Sequence, residues 1–102
     1  EGQAIKGEYV QTMLNAVPVS KDNPHVQYGL GVGIYKQGPL GASYGHGGWI
    51  PGYCSSLRYY PEHEMAVAFQ INTDIGITDD SIPVIKTMET LLAKVVINSL
   101  CK

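Results

Sequence analysis

Apolar and polar positions alternate with two different periods along this chain, and the switch between them predicts its elements. Over 7–17, Val10, Met13, Leu14 and Val17 recur at helical spacing and Pro18 ends the run, which predicts a helix. Ser20-Lys21-Asp22-Asn23-Pro24 then forms a polar connector. A period of two follows. Over 28–37, Gly29, Gly31 and Gly33 fall on one face and Leu30, Val32 and Ile34 on the other, the pattern of a strand with a thin glycine face. Three further strands are predicted over 42–49, 52–60 and 65–72, joined by Ile50-Pro51 and by Pro61-Glu62-His63-Glu64. Loops this short make antiparallel neighbours. Met65-Ala66-Val67-Ala68-Phe69 is apolar on both faces, which predicts a central strand covered from two sides. Asp79, Asp80 and Ser81 offer N-caps, and Pro83 suits the first turn of a closing helix over 82–98. Its residues 84, 85, 88, 91, 92, 95 and 96 form an apolar stripe for the sheet. The predicted class is α+β: an antiparallel sheet of three to four strands with a C-terminal amphipathic helix packed on it.

Composition narrows the partners more than the fold. At 102 residues the chain is one domain or part of one, and 44% hydrophobic residues suit a packed core. The net charge of −2 and the scattered seven Lys and Arg give no basic stripe for nucleic acid. No apolar run approaches the length of a membrane span, and no targeting segment is visible. The compartment stays open, cytoplasmic or extracytoplasmic. Cys54 and Cys101 lack metal-ligand spacing to His46 or His63, so they read as two free, partly buried thiols and no metal or cofactor is implied.

Candidate chemistry centres on Tyr44-Gly45-His46-Gly47-Gly48-Trp49-Ile50-Pro51-Gly52-Tyr53. Glycine costs stability in a regular element, so three around one histidine serve best where a backbone must approach a substrate. A glycine-rich hairpin with a stray histidine is the plainer reading. Gly41-Ala42-Ser43-Tyr44-Gly45 matches G-x-S-x-G, but the nucleophile elbow needs a helix after the serine, and Gly-His-Gly-Gly-Trp-Ile-Pro starts none. Ser99-Leu100-Cys101-Lys102 matches S-x-x-K at a chain end, where it has no scaffold. Gly29, Gly31 and Gly33 do not complete a dinucleotide fingerprint.

Taken in order, Tyr28-Gly29-Leu30-Gly31, the His46 segment, Pro51-Gly52-Tyr53, the Pro61 hairpin, the apolar strand ending at Asn72 and the closing helix resemble one family. The chain is similar to the C-terminal part of a serine β-lactamase-like hydrolase, the group of class C β-lactamases, D-Ala-D-Ala carboxypeptidases and related esterases. The resemblance spans nearly all of residues 1–102 and implies a fragment of the β-lactamase/transpeptidase-like fold. It also implies that His46, Gly47 and Gly48 stand where that family carries K-T-G or H-x-G along one wall of the active site. Gly47 and Gly48 would then line the substrate, the Trp49 backbone N–H would be an oxyanion donor, and Asn72 would contact substrate. His46 would hydrogen-bond the substrate or assist proton transfer; anchoring the strand is its structural alternative.

The departures matter equally. S-x-x-K is missing from a usable place, and none of the seven tyrosines has Asn two residues on. The expectation is therefore a C-terminal portion of a serine hydrolase that acts through an acyl-enzyme on a small amide, peptide, lactam or ester, and is inactive alone. Histidine in place of lysine favours a peptidase, amidase or esterase over a β-lactamase. A non-catalytic binding or assembly domain that kept the fold is the alternative. The expected partners are the missing N-terminal catalytic part, or a second copy paired through 65–72, with a small-molecule substrate in the intact protein.

Overall fold

The computed structural model describes residues 4–74 and 84–100. Helix α1 (Gly7–Leu14) leads into six strands: β1 (Val17–Pro18), β2 (Val26–Tyr28), β3 (Gly33–Tyr35), β4 (Ser43–Ile50), β5 (Tyr53–Tyr60) and β6 (Met65–Ile71). Helix α2 (Val84–Leu100) closes the chain. The strands lie side by side in chain order, every neighbouring pair antiparallel. This is the α+β class expected, with six strands where three to four were predicted.

One extra strand over the four predicted comes from the division of the glycine-rich segment. Residues 28–37 do not form one strand: β2 ends at Tyr28, and 29–32 reverse the chain into β3. Gly31 takes a φ of 72°, which closes the reversal, and the Gly29 N–H donates to the Val32 carbonyl at 2.8 Å. The alternation of glycine with branched residues was turn chemistry in the guise of a strand. The second addition is β1. The predicted helix over 7–17 stops at Leu14, and Val17 and Pro18 pair with Tyr28 and Gln27 as an edge strand, where proline is tolerated.

The long hairpin β4–β5 holds the sheet together. Its loop is Pro51-Gly52, and Gly52 adopts a φ of 86° in the second turn position, where a Cβ would be strained. Side chains at 54, 56, 58 and 60 point to the face that α2 covers. There Tyr60, Met65 and Ala93 form the buried centre, with Leu40, Val67, Val96 and Ile97 packed around it.

α2 sits on the sheet by a stripe rotated from the one predicted: Val84, Ile85, Met88 and Val96 are half-buried as expected, but Leu91, Leu92 and Val95 are not. Glu89 and Ala93 are its buried residues, while Leu91 and Val95 are 57% and 63% exposed. Two contacts explain the rotation. Ala93, fully buried, lets the helix approach closely, and the Glu89 carboxylate is captured by the sheet. Glu89 Oε1 lies 3.2 Å from Arg58 Nε and accepts a hydrogen bond from Ser56 Oγ at 2.5 Å. The Arg58 guanidinium lies over the Tyr35 ring, 3.7 Å from its centroid, and Arg58 Nη1 has no hydrogen-bond partner among the described residues. Burial, together with the Glu89 charge, pushes the Tyr60 hydroxyl up against the opposing pull of Arg58. Cys54 is a free thiol, 2% exposed rather than partly buried; burial, helped by Asp74, raises its pKa. Cys101, the N-caps at 79–81 and the helix start at 82–83 lie outside the described residues.

β6 also departs from its pattern. Among the described residues it is an edge strand with β5 on one side. Met65 is buried beneath α2, while Ala66, Ala68 and Gln70 are exposed on the other face. No described helix is long and apolar enough to cross a membrane.

Candidate active site

The site is built from the part of β4 that outruns its neighbour. β3 pairs only as far as Gly33 opposite Gly45, so, among the described residues, 46–50 have β5 on one side and no strand on the other. Gly45 makes the pairing with β5 possible: a Cβ there would sit 1.9 Å from the Leu57 carbonyl oxygen.

Backbone direction along this free edge follows from the hairpin. A two-residue loop makes Ile50 and Tyr53 the closing pair, which exchanges both hydrogen bonds. Antiparallel alternation then turns the N–H and C=O of Gly48 and His46 toward β5, and those of Trp49 and Gly47 outward. The Trp49 amide therefore faces the edge that β3 leaves open. Trp49 is 55% exposed, and its side chain lies on the side of the sheet that carries α2.

The His46 side chain springs from the opposite face, in one row with Leu57 and Ala68. Its ring leans over the free edge. Nδ1 lies 2.5 Å from the Gly47 carbonyl oxygen and Nε2 2.8 Å from the Tyr28 hydroxyl. The two rings meet edge to face at 67°, centroids 5.8 Å apart. A shallow cleft of about 600 Å³ lies beside His46, Gly47 and Gly48, floored by Ser55, Leu57 and Ala68. Gly48 leaves room there, because a Cβ would lie 2.4 Å from Ser55 Oγ.

His46, Gly47, Gly48 and the Trp49 amide thus come together along one open edge. Asn72 does not join them. It is exposed just past the end of β6, next after Ile71, whose row runs through Cys54 to Trp49, so it lies level with the Trp49 end of the edge but two strands, about 10 Å, across the sheet. Tyr28 is the residue that sequence reasoning missed. It stands two strands away from β4, and the signal was the turn at 29–32: once that turn is seen, Tyr28 falls opposite Gly33 and next to the start of the free edge. Among the described residues no cluster of three or more His, Cys, Asp or Glu is placed to hold a metal ion.

No family model matches this chain, and a search of curated proteins finds no match. Among solved structures, the chain is similar to the crystal structure of a D-stereospecific amidohydrolase from Streptomyces sp.. The two share 30% identity over 72% of this chain, with a TM-score of 0.64. The match spans 22% of the length of that amidohydrolase. The fold is a fragment of the β-lactamase-like one, and the likeness supports the same superfamily and a relationship to hydrolases.

Proposed function

We propose that this chain is the C-terminal portion of a serine hydrolase that works through an acyl-enzyme, and that the free edge of β4 forms one wall of its active site. The observation that carries the reading is the outward Trp49 N–H on the same edge as His46, which no described strand covers. A carbonyl laid along this edge meets the Trp49 N–H where negative charge develops on its oxygen. Such a donor contributes roughly 3–4 kcal/mol to the transition state. Gly47 and Gly48 keep the wall thin enough for the acyl group to lie flat, and His46 orders the polar side of the cleft. Asn72, level with Trp49 but two strands across the sheet, contacts a part of the substrate away from the reacting carbonyl. The likeness to a D-stereospecific amidohydrolase favours an amide among the possible substrates.

The nucleophile lies elsewhere. Ser43 is buried, Ser56 is committed to Glu89, Ser99 bonds the Val95 carbonyl within α2, and Ser55 on the cleft floor does not have His46 as its base, because both ring nitrogens of His46 are engaged by Gly47 and Tyr28. An upstream S-x-x-K and Y-x-N supply the serine, its base and the second oxyanion donor. The chain by itself is therefore expected to leave chromogenic lactams, activated esters and amino-acid p-nitroanilides unhydrolysed. The longer protein that carries it turns over at least one of them. Turnover by neither, with ligand binding retained in the cleft, favours the alternative of a binding domain that kept the fold.

The second expected partner is another copy. Among the described residues β6 has one uncovered edge, and it carries no Pro or charge from Met65 to Ile71 to discourage pairing. Antiparallel pairing of 65–72 across a two-fold axis covers that edge. Sedimentation of the isolated chain at micromolar concentration is expected to show a dimer, and Ala68→Lys to return it to monomer. A wild-type monomer at these concentrations contradicts the pairing.

A further inference from the structure

The Tyr28–His46 contact decides what the histidine offers the cleft. A carbonyl oxygen only accepts, so the His46 nitrogen beside the Gly47 carbonyl, Nδ1, carries the proton. In a neutral ring Nε2 is then the bare acceptor, and the Tyr28 hydroxyl donates to it. We propose that Tyr28 is a positioning residue of this site, holding His46 as the neutral Nδ1–H tautomer with its ring laid over the free edge of β4. Both ring nitrogens are committed within the chain, and the ring cannot turn over without breaking both bonds. The lone pairs left free belong to the Tyr28 oxygen.

This deepens the hydrolase reading and borrows its assignment of the cleft. The couple offers an acceptor where a lysine would offer a cation. The cleft lining described above holds no Lys or Arg. This wall therefore suits a substrate that brings an N–H, an amide or peptide, and disfavours a carboxylate at the same place.

The tautomer is read without any activity, by two-bond proton–nitrogen NMR of the ring nitrogens in the 102-residue chain above the histidine titration range. Loss of signals in His46→Gln assigns them among the three histidines. The expected result is a protonated Nδ1 and a bare Nε2 in the wild type. Tyr28→Phe releases Nε2, so the Nε2–H form becomes populated while the backbone amide spectrum stays otherwise unchanged. A wild-type ring protonated at Nε2, or an unchanged tautomer in Tyr28→Phe, overturns the proposal. If Tyr28→Phe fails to fold, the wild-type spectrum still decides. In the longer protein, Tyr28→Phe lowers kcat/KM for an amide about three- to tenfold more than for its matched ester. Equal losses overturn the substrate preference, whereas an inactive longer protein counts against the hydrolase reading and leaves the tautomer result standing.

Discussion

Trp49→Pro in the longer protein is expected to lower kcat by about 10²- to 10³-fold, the range for loss of one oxyanion donor. Proline removes the N–H and nothing from the pairing of β4 with β5, because that N–H points away from β5. Strand edges tolerate proline, and Gly48 before it adopts extended backbone freely. Trp49→Ala is the companion variant. It removes the indole and keeps the N–H, so it is expected to retain kcat within a fewfold. The ratio between the two isolates the backbone donor. Circular dichroism checks that both remain folded. If Trp49→Pro unfolds the sheet while Trp49→Ala does not, the amide is a ladder donor and the assignment falls.

Glu89→Ala carries the largest expected effect on stability. Glu89 and Arg58 are 9% and 8% exposed, and the carboxylate is the charged partner of a buried guanidinium whose Nη1 is already unpaired. Breaking such a pair from one side costs about 3–5 kcal/mol, because the remaining charge is left uncompensated. A domain of this size has about 5–15 kcal/mol in all, so the loss is a large share. The double variant Arg58→Met with Glu89→Leu removes both charges and is expected to recover most of it. Urea unfolding at a fixed protein concentration measures the three variants, since self-association shifts apparent stability. A Glu89→Ala cost below about 1 kcal/mol, the range of an exposed pair, rules out the buried network as a determinant of how α2 sits.

These two results bear on parts of the molecule that were unequally legible in the sequence. β4, β5 and β6 lie within a residue of their predicted bounds, because alternation and the Pro51-Gly52 and Pro61 turns act locally. The segment 28–37 was misread because Gly-Leu-Gly-Val-Gly satisfies a strand's period while Gly31 supplies the positive φ of a turn. Periodicity cannot separate those two uses of glycine. The seating of α2 was misread because an apolar stripe describes one helix alone. The buried carboxylate of Glu89 is chosen by Arg58 and Ser56 on another element. At the proposed site, His46, Gly47, Gly48 and Trp49 are contiguous in sequence, so they could be named together as candidates. Tyr28 could not, because its meeting with His46 depends on the register of β2, β3 and β4 together.

Covalent trapping tests the central claim most directly. The longer protein and the 102-residue chain are each treated with a fluorophosphonate or a slowly released β-lactam, and their intact masses and modified peptides are compared. One acyl or phosphonyl adduct per molecule is expected on a serine outside residues 1–102, with none on the isolated chain. An adduct on a serine within these residues, or a longer protein that takes up no probe at all, contradicts it.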